Sequence, residues 1–258
     1  MLRFRSLGSG STGNATVVEA SSGTLTTRIL IDCGLGIRAL DARLARAGLR
    51  TNDLHAIFIT HEHSDHIGCV RQVALRERLP VWMSNGTHRG AGAPDLDGLL
   101  HVARDGEPID LGELQLNPFT VPHDAREPLQ LTCTDGDLRL GILTDLGHIT
   151  PYVLGALAAC NGLLLECNHD PALLEGGKYP PFLKRRVGGM WGHLSNDAAA
   201  SAAESLRHDG LRRVVAAHLS EQNNRPELAQ AALASALGCA AQDVAVADAA
   251  GTGDWLQV

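Results

Sequence analysis

Residues 60–66 read Thr60-His61-Glu62-His63-Ser64-Asp65-His66 and directly follow the apolar run Ala56-Ile57-Phe58-Ile59. Three imidazoles and a carboxylate crowd the point where a strand should end. Burying such a cluster costs several kcal/mol unless a cation sits among the side chains. Alternate side chains of an extended segment point the same way, so His61, His63 and Asp65 start on one side. His66 follows where the chain can turn into a helix. The spacing suits two adjacent metal ions, with His61 and His63 on one and Asp65 and His66 on the other. Imidazole nitrogen and carboxylate oxygen are donors that zinc and similar ions take.

Three more apolar runs end in the same way. Phe119-Thr120-Val121-Pro122 leads to His123, Gly141-Ile142-Leu143-Thr144 to Asp145, and Val214-Val215-Ala216-Ala217 to His218. With the first cluster they make seven ligands: two sets of three and one bridging carboxylate. Two ions about 3.5–4 Å apart can hold a bridging hydroxide and polarise a phosphoryl or carbonyl group. Bound water then ionises near pH ~7, and no separate strong base is required. Two Asp ligands and one hydroxide leave such a centre at roughly +1, which favours an anionic substrate and a phosphoryl-transfer transition state. Ile31-Asp32-Cys33-Gly34 places a further carboxylate at a strand end, suited to buttressing the metal loop by hydrogen bonds.

The elements that must position these residues can be read from the apolar patterning. Strands are expected at about 2–7, 15–20, 27–32, 55–60, 114–121, 128–134, 137–144, 162–167, 212–217 and 243–247. Helices are expected at about 36–48, 67–79, 150–160, 195–209 and 225–237. Ser195-Asn196 offers an N-cap and Pro226 a first-turn residue. Asp135-Gly136 is a hairpin turn signal, and Ser9-Gly10-Ser11-Thr12-Gly13-Asn14 a Gly/Ser turn. Strands in both halves with helices between them fit two stacked sheets with helices outside.

The chain has 258 residues, 44% of them hydrophobic, enough for one large core, so residues 1–258 are read as one domain. No apolar run approaches the roughly 18 residues that cross a membrane. The first residues carry no secretory pattern, and the six scattered cysteines read as reduced thiols, so a cytoplasmic location is expected. The net charge of −7 argues against a surface coated by nucleic acid but allows local grip on an end. With aromatics at only 3%, no base-stacking platform is advertised.

On these motifs the chain resembles the metallo-β-lactamase superfamily, and within it the YycJ (WalJ)-like branch. The matching segments are Gly8–Asn14, Ile31–Gly34, Thr144-Asp145-Leu146-Gly147, Leu165-Glu166-Cys167-Asn168-His169-Asp170, Gly192-His193-Leu194-Ser195-Asn196 and His218–Asn224. The resemblance implies an α/β fold: an αββα sandwich of two mixed β-sheets flanked by helices, with the metals at one edge. It implies His61, His63 and His123 on one ion, Asp65, His66 and His218 on the other, and Asp145 bridging. By its likeness to ribonuclease Z, His193 would contact the phosphate or protonate the leaving oxygen. Cys167 stands where such relatives usually have Ala.

Around that centre, Glu166 and His169 follow the apolar run 163–165, placed to orient His193 or line the pocket. Ser11, Asn14, Ser195 and Asn196 are candidate donors to phosphate oxygens. Lys178 and the run Lys184-Arg185-Arg186 could grip a nucleic-acid backbone. The leading expectation is a dinuclear metal-dependent phosphodiesterase, a nuclease acting on DNA or RNA ends. The alternative is a small-molecule hydrolase acting on a small phosphodiester, a lactone or a thioester. A non-catalytic binding protein of the same fold is disfavoured because all seven ligands are present. The donor set accepts zinc, manganese or iron.

Overall fold

The computed structural model describes residues 1–258. The first half contains β1 (Leu2–Gly8), β2 (Ala15–Ser22), β3 (Leu25–Ile31), α1 (Ile37–Arg46), β4 (Ala56–Phe58), α2 (Ser64–Ile67) and α3 (Val70–Glu77). There follow β5 (Val81–Met83), α4 (Asn85–Gly90), β6 (Leu100–Val102), β7 (Ile109–Leu111), β8 (Leu114–Thr120), β9 (Leu129–Thr134) and β10 (Arg139–Leu143). The remainder is α5 (Pro151–Leu157), β11 (Gly162–Glu166), α6 (Pro171–Gly176), α7 (Pro181–Val187), α8 (Asn196–Ser205), β12 (Arg213–Ala217), α9 (Pro226–Leu237), β13 (Ala245–Val246) and β14 (Leu256–Gln257).

The strands form two seven-stranded sheets, ordered β14-β1-β2-β3-β4-β5-β6 and β13-β12-β11-β10-β9-β8-β7. Each is antiparallel at one end and parallel at the other: β3–β4–β5–β6 run parallel in the first, and β10–β11–β12–β13 in the second. Alternation along the strands creates three apolar layers. Ile29 and Ile31 face inward with Phe4, Val18 and Phe58, meeting Leu116, Leu131, Ile142, Leu164 and Val215 of the other sheet. Leu30, between the two isoleucines, faces outward with Val17 and Ile57 against Leu40 and Leu44 of α1 and Val73 of α3. On the far side Leu143, Leu163, Leu165 and Ala216 pack against α5, α8 and α9 through Val153, Ala199 and Leu233. Each such fully buried aliphatic or aromatic side chain contributes about 1.5–3 kcal/mol. The architecture is the expected αββα sandwich.

All ten expected strands are present. The four unforeseen ones, β5, β6, β7 and β14, have only two or three residues each. The expected helix over 67–79 is instead α2 and α3, broken at Gly68, whose φ is +29°. A Cβ there would lie 2.5 Å from the Cys33 carbonyl oxygen, so the break lets the metal loop pass close to β3. Five of the six cysteines are buried, and Cys239 is exposed. No helix is long and apolar enough to cross a membrane.

Candidate metal centre

Central strands are buried on both faces, so ionisable side chains concentrate where a strand leaves the sheet. Here β3 runs out into Asp32, β4 into Thr60-His61, β8 into His123, β10 into Asp145 and β12 into His218, while Glu166 is the last residue of β11. All of these exits fall on one edge of the sandwich. Three of the residues there, Asp32, Asp145 and His218, have left-handed backbones, with φ of 60°, 57° and 54°.

The side chains converge in two groups. His61 Nε2 lies 3.1 Å from His63 Nδ1, which lies 3.3 Å from His123 Nε2. In the second group Asp65 Oδ2 is 3.6 Å from His66 Nε2 and 3.7 Å from His218 Nε2. Asp145 Oδ2, 2.8 Å from His66 Nε2, joins the groups, because His61, His66 and Asp145 also cluster. Apart from that contact with His66, Asp145 Oδ2 has no partner, and His218 Nε2, also buried, has no hydrogen bond. Buried orphans are rare and ask for an explanation. Nitrogen and oxygen donors facing one another in this way fit divalent cations.

The opposite ring nitrogens are anchored outward. His66 Nδ1 donates to Asp32 Oδ2 at 2.7 Å, His218 Nδ1 to Glu166 Oε1 at 3.0 Å, and His123 Nδ1 to the Gly192 carbonyl at 3.0 Å. His61 Nδ1 is 3.0 Å from Thr60 Oγ1, whose hydroxyl donates to Asp32. Such partners fix the tautomer that leaves Nε2 free for a cation. Asp32 thus takes the buttressing role expected of it.

The two groups differ electrostatically. Burial pushes His61 well below the ordinary imidazole value and lowers His123 too. Burial also opposes charge on His66 and His218, but Asp145, with Asp32 beside His66 and with Asp65 and Glu166 beside His218, outweighs it. Both are pushed up to about 10. The carboxylate-rich side therefore gathers positive charge, supplied by protons where no metal ion is bound. A metal ion needs neutral imidazole, so it displaces these protons on binding.

Beside this cluster opens a cleft of about 350 Å³, lined by Ser11, His63, Asp65, Asp145, His193 and Arg186 among others. His193 Nδ1 donates to Glu166 Oε1 at 2.8 Å and lies 3.2 Å from Asp145 Oδ1. Glu166 is fully buried, and its Oε2 accepts the Leu146 and Leu194 N–H groups at 3.0 and 3.1 Å. Burial opposes its charge, but His193 and His218 hold its carboxyl down at about 2. Against burial, Glu166 and Asp145 push His193 up to about 10. Glu166 therefore orients two histidines and does not reach the cleft.

Of the expected substrate contacts, Ser11, Arg186 and His193 line the cleft. Asn14 is buried and holds the metal loop: its N–H donates to the Asp65 carbonyl at 2.7 Å, and its Nδ2 lies 3.0 Å from His66 Nε2. Ser195 caps α8 through the Ala198 N–H, and Asn196 is buried in a reciprocal pair with Asn224. His169 is buried, with Nδ1 unpartnered, outside the cleft lining. Lys184 Nζ donates to the Glu175 carbonyl, while its neighbour Arg186 lines the cleft.

Three positions to which sequence reasoning gave no individual role also shape the site. Ser9 Oγ accepts the His218 N–H at 2.8 Å. Asp124 pairs with Arg186 at 2.6 Å and lies 3.4 Å from His123 Nε2. Gly34 abuts the metal loop so closely that a Cβ would lie 1.7 Å from the Asp65 carbonyl oxygen. Asp124 directly follows an expected ligand, which was the available signal. Ser9 and Gly34 lie in two of the quoted segments, Gly8–Asn14 and Ile31–Gly34, but their contacts show only in three dimensions.

Residues 27–219 match the family model described as the beta-lactamase superfamily domain. With that match, the two mixed sheets and the His/Asp cluster at their edge, the chain belongs to the metallo-β-lactamase superfamily, whose members of this type are metal-dependent hydrolases. The chain is 34% identical to exodeoxyribonuclease YycJ of Bacillus anthracis over 241 residues, covering 92% of this chain and 89% of that protein. It is 31% identical to exodeoxyribonuclease WalJ of Streptococcus pneumoniae, covering 95% and 91%. Among solved structures, the metallo-beta-lactamase fold protein YhfI of Bacillus subtilis superimposes with a TM-score of 0.76 over 99% of this chain and 98% of that one. At 15% identity that likeness concerns the fold alone.

Proposed function

We propose that this protein is a dinuclear metal-dependent phosphodiesterase that acts as an exonuclease on nucleic-acid ends, with zinc or manganese as the ions. In this reading His61, His63 and His123 hold one ion, Asp65, His66 and His218 hold the other, and Asp145 bridges. Bound by these residues, divalent ions would supply a Lewis acid for the phosphoryl group and a nucleophile at neutral pH.

The observation that carries the reading is His193. Glu166 occupies its Nδ1, so Nε2 is the nitrogen left to meet a ligand in the cleft beside the cluster. An imidazolium held there hydrogen-bonds a phosphate oxygen and delivers a proton to the departing oxygen. Ser11 adds a hydroxyl on the same wall. Glu166 keeps the His193 and His218 rings in register, and Asn14 and Gly34 keep Asp65 and His66 in place. Support for nucleic acid as the substrate comes from the two exodeoxyribonuclease relatives.

The test is hydrolysis of bis(p-nitrophenyl) phosphate alongside end-labelled single- and double-stranded DNA and RNA. Metal-stripped protein reloaded with zinc or manganese is used, with Asp145→Ala as control. Stepwise shortening of a nucleic acid, lost in Asp145→Ala, is the expected result. Cleavage of the small ester alone reassigns the protein to small phosphodiesters, and silence on both moves the search to lactones and thioesters.

A further inference from the structure

We propose that the outer rim of the cleft, built from Phe182, Trp191 and the cations of α7, is a stacking platform for unpaired bases. The substrate strand then enters with a single-stranded or frayed end. This rests on the nuclease reading and narrows its substrate.

Aromatic side chains are scarce, with three Trp, two Tyr and four Phe in the chain. Phe4, Phe58 and Phe119 are buried in the core, as the hydrophobic effect requires. Phe182 and Trp191 instead stand 66% and 61% exposed, with Met190 beside them at 62%. Only seven large hydrophobic side chains are exposed in the whole chain, and three of them fall within 182–191. A cluster of that kind marks an interaction surface more than scattered apolar residues do. The low aromatic content therefore conceals a local concentration.

The cluster adjoins the candidate catalytic groups. Tyr179, Leu183, Arg186 and Val187 line the cleft, and so do Gly192 and His193. Phe182 and Trp191 directly precede the cleft-lining Leu183 and Gly192 in the chain and are themselves exposed. Their backbone is pinned: the Trp191 carbonyl accepts the Asp124 N–H at 3.0 Å, and the His193 N–H donates to the Val187 carbonyl at 2.8 Å. The Met190 carbonyl accepts from His148 Nδ1 at 2.9 Å. Rings presented from a fixed backbone lose little conformational freedom on binding.

Charge selects the occupant. Lys178, Lys184, Arg185 and Arg186 fall within nine residues of a chain whose net charge is −7. Cations interleaved with exposed rings match a strand of phosphates and bases. A second copy of this chain fits less well, because a two-fold contact would set these cations against their own images. With the scissile phosphate at the cluster, the adjoining bases lie over the rim. A base inside a duplex is already stacked and paired, so only an unpaired base can use Phe182 or Trp191.

The test is a cycle that perturbs protein and substrate together. Wild type and Phe182→Ala/Trp191→Ala, both metal-loaded, are compared on strands with unpaired ends carrying either normal bases or abasic residues. For wild type on normal bases, the double substitution should raise KM roughly 5- to 150-fold per stacked base, with kcat within about twofold. Abasic ends should raise the wild-type KM similarly and leave the variant nearly unaffected, a non-additivity that a merely structural role would not produce. Additive effects, or an unchanged KM, overturn the proposal. An unchanged KM with loss of a wild-type dimer on sizing would assign the rim to self-association instead. A wild type that shortens no nucleic acid overturns the nuclease reading itself. One that does so without coupling overturns the platform alone.

Discussion

Glu166→Gln isolates what the buried carboxylate does without changing its size. Glu166 accepts four N–H groups: Leu146 and Leu194 on Oε2, and the Nδ1 atoms of His193 and His218 on Oε1, at 2.8–3.1 Å. A glutamine has one acceptor oxygen, so its NH2 must oppose one of these pairs. Facing the backbone, it strands two buried donors, at about 1–3 kcal/mol each. Facing the imidazoles, it leaves no donor stranded if both rings give up the Nδ1 proton and keep one on Nε2, as loss of the neighbouring carboxylate charge favours. The second arrangement costs less, so the loss should appear in chemistry and not in the fold. His218 then presents a protonated Nε2 to the cluster and is a poor ligand. Loss of such an outer partner typically weakens metal binding or activity about 10- to 100-fold. Competitive zinc titration, phosphodiester hydrolysis and the melting temperature of the metal-free protein measure the three quantities. Weakened zinc binding and turnover with a nearly unchanged melting temperature are expected. A melting temperature lowered by roughly 4–20 °C, with wild-type zinc affinity, would refute the tautomer argument. No change in any of the three would remove Glu166 from the site.

His193→Ala should retain metal content but lower turnover by about 10²–10⁴-fold, as loss of a general acid does, and an unchanged rate would make it structural. Gly34→Ala drives a Cβ to within 1.7 Å of the Asp65 carbonyl oxygen, so the metal loop must shift. Overpacking of this kind costs roughly 1–3 kcal/mol, and metal content measured after dialysis should fall even where circular dichroism remains native. Away from the site, burial opposes charge on Glu19, but Arg3 and Arg28, each at 2.6 Å, outweigh it and lower its pKa. The folded state thus binds this proton less readily than the unfolded chain. The stabilisation is full above the ordinary Glu value of about 4.3 and fades as pH falls through the lowered one. The melting-temperature gap between wild type and Glu19→Gln should therefore hold steady from about pH 5 to 8 and narrow below pH ~4; a gap that widens on acidification would contradict the assignment.

The long strands and the seven strand-end polar residues were legible because burial on both faces writes continuous apolar runs that stop abruptly. His123, Asp145 and His218 stand out for that reason alone. The short strands β5, β6, β7 and β14 span too few residues to show a period. Helices α6 and α7 each begin at a proline, in a stretch that also carries Gly176-Gly177 and Pro180-Pro181, and that composition reads as loop. Side-chain direction was the other hidden quantity. Asn14, Ser195 and Asn196 have the right chemistry for phosphate, yet Asp65, the start of α8 and Asn224 claim them. The aromatic rim escaped notice because composition averages over the chain, whereas the fold buries Phe4, Phe58 and Phe119 and leaves Phe182 and Trp191 outside.

The left-handed backbones of Asp32, Asp145 and His218 set stability against chemistry at the sandwich edge. Each holds a non-glycine residue in a conformation that costs roughly 1–3 kcal/mol and that glycine adopts freely. Glycine there would relieve the backbone but remove side chains that the site needs: at Asp32 it would strand the buried Thr60 N–H and His66 Nδ1 donors, at about 1–3 kcal/mol each. A thermostabilising campaign on this scaffold should hold all three fixed and place its glycines instead at Arg78, Ala93, Asp97 or Ala159, whose backbones are also left-handed and which lie outside the cluster.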